Sequence, residues 1–95
     1  MAAYLIANIT VKDAAKMEAY AAAAGPTLDA YGAEFIMEGS LTQNLSGRWP
    51  VKGVALVRFP SIELAQAWYH SAEYQALRDL RSVAADMDIA LFEAA

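Results

Sequence analysis

Tyr4-Leu5-Ile6-Ala7-Asn8-Ile9-Thr10-Val11 and Gly53-Val54-Ala55-Leu56-Val57-Arg58-Phe59 are the stretches that decide the fold. Both are short, rich in β-branched and aromatic residues, and closed by strand-ending residues: Lys12-Asp13 after the first, Pro60 after the second. Alternate side chains of a strand point to opposite faces. Tyr4 and Ile6 therefore share one side of the first run, and Leu5, Ala7 and Ile9 the other. In the second run Val54 and Leu56 oppose Ala55, Val57 and Phe59. Strands that are apolar on both sides belong in the middle of a sheet whose two faces are both buried.

Between these strands Asp13 suits a helix N-cap, and Met17, Tyr20, Ala21, Ala24, Leu28 and Tyr31 recur at spacings of mostly three or four, which puts them on one helical face. Gly25-Pro26 predicts a kink or a break into two pieces, with Gly32 ending the element. Glu34 to Gly39 reads as a second strand, continued after a bend by Leu41 to Leu45 as an edge, and Ser46 to Pro50 as a turn. Ser61 caps a helix that runs to about His70, with Glu63 adding negative charge to its first turn. Ser71 offers a second cap, and Tyr74, Leu77, Leu80 and Ala84 keep helical spacing, so this connection holds two consecutive helices or one bent helix. Met87 to Glu93 closes as a fourth strand.

The order βαββαβ is the split βαβ, or ferredoxin-like, arrangement of the α+β class, with a four-stranded antiparallel-type sheet. Right-handed crossovers put both helical segments on one face and make the first and third strands central. The other face is then apolar and uncovered. Each side chain there returns about 1.5 to 3 kcal/mol on burial, so a second copy is expected to cover it as a two-fold homodimer.

Composition agrees. Ninety-five residues fit one domain, residues 1–95, and a domain of this size buries only roughly two-thirds of its unfolded surface. The apolar share is 58%, above the usual range of about 45 to 50%. A net charge of −4, from seven basic and eleven acidic residues, has the wrong sign for neutralising phosphates, and nucleic acid is not an expected partner. The chain has no Cys, which removes disulfides, Cys-ligated zinc, iron–sulfur clusters and thiol nucleophiles, and a reducing cytoplasm is the expected setting. The N-terminus lacks a basic region, and its apolar run is shorter than the roughly 20 residues of a membrane span, so neither a signal nor a membrane contact is expected.

Several segments together resemble a known family. They are Tyr4 to Ile9, Ala24-Gly25-Pro26-Thr27-Leu28 after Tyr20, Tyr31-Gly32, Gly47-Arg48-Trp49-Pro50 and Phe59-Pro60-Ser61. The most specific is Ala67-Trp68-Tyr69-His70-Ser71-Ala72-Glu73-Tyr74-Gln75-Ala76-Leu77, with Arg78 and Arg81 beyond it. In these the chain resembles the small bacterial family catalogued as domain of unknown function thirteen-thirty, within the dimeric α/β-barrel superfamily. His70 and Ala72 stand where relatives usually carry Asn and Pro. The resemblance implies a homodimer whose two sheets face each other in a barrel-like core, and it implies no particular reaction.

Four groups of residues are candidates for chemistry. His70 is the only side chain with an unperturbed pKa near neutrality; beside Trp68, Tyr69 and Tyr74 it is placed to act as a general base, as a helix-end hydrogen-bonding group, or, as in some haem-binding members of the superfamily, as an axial ligand. Asn8 and Arg58 interrupt apolar central strands. If both face away from the helices they meet in the dimer cleft, where a buried cation needs a carboxylate or a ligand, with Glu34, Glu38, Asp88 and Glu93 available. Tyr20, Tyr31, Trp49, Trp68, Tyr69 and Tyr74 either pack as core or line a pocket for a flat molecule. Trp49, in a loop before Pro50, is the one least demanded by packing, and Arg48 beside it is a solvated charge or an anion contact. No nucleophile elbow, phosphate loop or metal-spaced His cluster is present, so no metal and no cofactor are expected. Two readings of function remain: a homodimeric module that binds a small molecule or serves structurally, and a cofactor-independent oxygenase or isomerase-like enzyme acting on a small aromatic or polyketide-like compound.

Overall fold

The computed structural model describes residues 1–95. In chain order its elements are β1 (Ala3–Val11), α1 (Ala14–Asp29), β2 (Glu34–Ser40), β3 (Gly53–Phe59), α2 (Ile62–Tyr69), α3 (Ala72–Gln75), α4 (Arg78–Ala84) and β4 (Ala85–Glu93). The strands form one sheet in the order β2-β3-β1-β4, with every neighbouring pair antiparallel. This is the expected ferredoxin-like α+β fold, with β1 and β3 in the middle.

Local sequence sets the helix boundaries. The Asp13 carboxylate accepts from the Lys16 amide at 3.0 Å and starts α1. The Ser61 hydroxyl accepts from Leu64 N at 3.2 Å and starts α2. Ser71 has two roles: its hydroxyl accepts from Tyr74 N at 3.2 Å and donates to the Trp68 carbonyl at 2.7 Å, so one buried side chain ends α2 and begins α3. The second helical segment is thus three short pieces rather than two.

Two expectations are corrected. α1 runs unbroken through Gly25-Pro26. Pro26 lies on the exposed side, where the carbonyl freed by its missing N–H meets water, and the Thr27 hydroxyl donates to the Ala24 carbonyl at 2.6 Å, tightening the same turn. Gly32 does end the connection, in the left-handed region at φ 72°, where a Cβ would be strained whatever space surrounds it. The second correction is at Leu41 to Leu45, which form no strand. After Ser40 the chain keeps one bond across to the end of the loop, Leu41 N to Lys52 O at 2.6 Å, and a turn at Gly47 is closed by Asn44 donating to the Gly47 carbonyl at 2.6 Å.

Strand alternation sorts the side chains. Leu5, Ala7 and Ile9 of β1 and Ala55, Val57 and Phe59 of β3 lie buried under the helices. Phe59 and Tyr74 are the largest fully buried side chains of that core. The opposite face carries Tyr4, Ile6 and Asn8 with Val54, Leu56 and Arg58, and nothing covers it. The molecule is accordingly a plate, 35 × 34 × 16 Å. No helix is long and apolar enough to cross a membrane.

Candidate functional site

Ala7 of β1 and Ala55 of β3 are paired across the sheet, both pointing toward the helices. The stretch of α1 that lies over them offers Ala21, Ala24 and Gly25, also small. Small residues on both sides leave space that no side chain fills, and a cavity of about 130 Å³ lies between α1 and the sheet. Fourteen of its sixteen lining residues are hydrophobic, and Glu38 of β2 is the only charged one. Phe35 and Glu38, both exposed on the edge strand, mark its mouth. Trp68 forms part of the wall, held by its indole N–H donating to the Thr27 hydroxyl at 3.0 Å and by stacking on Tyr74 with ring centroids 4.1 Å apart.

Tyr20 also lines the cavity and begins a polar chain that leaves it. Its hydroxyl lies 2.8 Å from that of Tyr74, which in turn accepts from the Arg81 guanidinium at 2.7 Å. Burial, the largest effect, raises the Tyr20 pKa strongly, and the hydrogen bond with Tyr74 adds to it, so this phenol stays neutral at any ordinary pH. At Arg81 burial alone lowers the pKa, but bonding to the Tyr74 and Tyr69 phenols outweighs it, and the guanidinium is held above its usual value. The chain therefore runs from a fixed cation through the Tyr74 hydroxyl to the neutral Tyr20 phenol on the cavity wall.

The residues singled out in the sequence do not gather in one place. Trp68 lines the cavity, while Tyr74, fully buried, braces its wall from behind. Asn8 and Arg58 point to the open face, where Asn8 pairs in register with Asp88 and Arg58 with Glu34. Trp49 is 60% exposed in the loop before β3. His70 is exposed at the end of α2, edge-on to Tyr69 at 5.4 Å, in a groove that shares Leu5 and Ile89 with the cavity. No group of three or more His, Cys, Asp or Glu is placed to hold a metal. Glu38, offered by the sequence as a partner for Arg58 on the open face, lies on the helix side beside Ala55 instead, and the role of the alanines was missed by sequence reasoning. The signal that finds them is alanine recurring on the inward side of two adjacent strands and on the helix above.

Over residues 2–95 the sequence matches the family model described as Domain of unknown function (DUF1330). The chain belongs to that family. A comparison with curated proteins finds no match. Among solved structures, the DUF1330 chain is similar to a protein of unknown function from Rhodopseudomonas palustris, at 15% identity and a TM-score of 0.78, over 99% of this chain and 82% of that one. It is similar to SnoaB, a cofactor-independent oxygenase from Streptomyces nogalater, at 13% identity and a TM-score of 0.71, over 99% and 93%. It is also similar to a dimeric ferredoxin-like protein of unknown function from Jannaschia sp. CCS1, at 13% identity and a TM-score of 0.68, over 99% and 100%. At such identities the likeness is one of fold.

Proposed function

We propose that residues 1–95 act as one domain that pairs into a homodimer through the open sheet face, and that each protomer binds a small, flat, mainly apolar molecule under α1. The observation that carries the ligand is the cavity of about 130 Å³ with a nearly all-apolar lining and one carboxylate at its mouth. A void of about 150 Å³ lined by apolar side chains suffices to bind benzene, so the ligand class is a single ring or a short branched chain. A hydrogen-bond donor on that ring meets Glu38. The dimer is supported by the uncovered apolar face and by the likeness to the dimeric Jannaschia protein. The lack of Cys supports a reducing, cytoplasmic setting.

Titration with phenol and with benzene, followed by melting temperature, tests the ligand reading. A saturable rise is expected, equivalent to about 2.7 kcal/mol of stabilisation when ligand reaches 100 times its Kd. Ala55→Leu fills the cavity and is expected to abolish the rise while the protein stays folded. No saturable rise in the wild-type protein, or an Ala55→Leu variant that unfolds because the space was not free, sinks this reading.

A second reading is favoured by the likeness to SnoaB: a cofactor-independent oxygenase acting on a small aromatic or polyketide-like compound in the same apolar space. His70, separated from the cavity by Leu5 and Ile89, is then the candidate base. Dioxygen uptake with a phenolic substrate and no added metal, lost in His70→Ala while binding persists, supports it. Binding without uptake leaves the module reading in place.

A further inference from the structure

The register of the sheet arranges the open face in rows across the strands. One row is Glu34, Arg58, Tyr4 and Phe92; the next Met37, Leu56, Ile6 and Ala90; the next Gly39, Val54, Asn8 and Asp88. The middle row is apolar throughout. Within the block formed by β3, β1 and β4, opposite charges sit at diagonal corners, Arg58 on β3 in the first row and Asp88 on β4 in the third, with Glu34 outside the block on β2. Neither has an ion-pair partner in its own chain, whereas Asp86, beyond them, is engaged by Lys12 at 3.3 Å. Glu34 is beside Arg58 on the edge strand without pairing to it.

The midpoint of the line from Arg58 to Asp88 falls on Ile6, one strand and one row from each. We infer that a second copy packs on this face about a two-fold axis passing over Ile6, so that Arg58 of each protomer pairs with Asp88 of its partner. This rests on the homodimer proposed above and supplies its register. Arg58 and Asp88 are two strands apart, about 10 Å, and four residues apart along the strands, about 13 Å. A two-fold axis in the interface plane, perpendicular to that diagonal, exchanges the two corners and so makes two equivalent ion pairs at once. Stacked sheets stand about 10 Å apart, a gap that an arginine and an aspartate span together. The strands of the two sheets then cross nearer to orthogonal than to aligned.

The alternative partner for Arg58, Glu34 of the second copy, requires an axis at the β2–β3 edge. That axis leaves Phe92 and Ala90 uncovered. The axis over Ile6 instead stacks Ile6 and Leu56 at the centre and brings every apolar side chain of the middle row under cover. It also gives each cation, desolvated by association, a carboxylate, which a buried charge needs.

Charge exchange tests the pairing. Arg58→Asp and Asp88→Arg are each expected to raise the dimer Kd on the order of a hundredfold, because each places like charges opposite one another twice per dimer. The double variant restores opposite signs with the corners swapped and is expected to recover most of the wild-type Kd in sedimentation equilibrium. Should either single variant lose its circular-dichroism spectrum, Arg58→Met and Asp88→Asn replace them, and a double-mutant cycle reads the coupling across protomers. A dimer whose Kd is unmoved by the single changes, a double variant as weak as the singles, or a cycle without coupling overturns the pairing and leaves the dimer standing. A wild-type protein that is monomeric at micromolar concentration overturns the dimer itself.

Discussion

The two faces of this sheet are built from the same strands and similar residue types, yet they do different work. On the helix side Leu5, Val57 and Phe59 are buried within one chain and joined by Trp68, Tyr20 and Tyr74 from above. On the other side Ile6, Leu56 and Tyr4 stay partly exposed, and Phe92 is 55% exposed. The first face is closed by covalent continuity, through crossovers that must return to it; the second can be closed only by association. Residues on the first therefore set whether a protomer folds, and in the proposed homodimer residues on the second set whether protomers meet.

Substitutions separate the two. Trp68→Ala is expected to have the largest effect, about 3 to 5 kcal/mol of folding stability, measured by denaturant unfolding. The indole fills space against Phe59 and Tyr74 and bonds Thr27. Ile6→Asp, one residue away from buried Leu5 but on the other face, is expected to abolish dimerisation and keep a native circular-dichroism spectrum, since about 2 kcal/mol of burial per protomer is lost only from association. Light scattering at micromolar concentration reads this directly, and a variant that unfolds instead would erase the distinction between the faces.

The smallest expected effect is on alkaline stability. The folded-state pKa of Tyr20 lies above its unfolded value, mainly through burial, so its contribution is fully present below about pH 10 and falls as pH rises beyond it. Tyr20→Phe costs about 1 kcal/mol at neutral pH through its lost hydrogen bond, and it flattens the decline of stability above about pH 10. Unfolding measured from pH 8 to 11 checks both. A decline as steep in Tyr20→Phe as in the wild type assigns alkaline sensitivity elsewhere.

Strand order and the open face were legible because alternation in β1 and β3 is a local signal that tertiary packing then satisfies. The caps at Asp13, Ser61 and Ser71 were legible for the same reason: a hydroxyl or carboxylate three residues before a free amide has its partner at hand. The course of α1 through Pro26 was not, since it depends on which side of the helix meets water. The cavity was hidden for a different reason. It is made by what alanines on three separate elements, β1, α1 and β3, do not fill, and no single segment carries that information. Nor does sequence place the Tyr20 and Tyr74 hydroxyls together, 54 residues apart. Asn8 and Arg58 stood out as polar breaks in apolar runs, but only the register shows that Asp88 lies diagonally opposite Arg58 about Ile6.

The edge strand β2 has a free outer ladder and the exposed apolar side chains Phe35, Ile36 and Met37, the kind of template that recruits stray strands into aggregates. Its pairing with β3 slips by one residue between Phe35 and Met37. An incoming strand in regular register finds its hydrogen-bonding groups out of step after Phe35 and cannot zip along the whole edge. The irregularity at Ile36 in this sense guards an edge of the plate that no other strand of the chain pairs with.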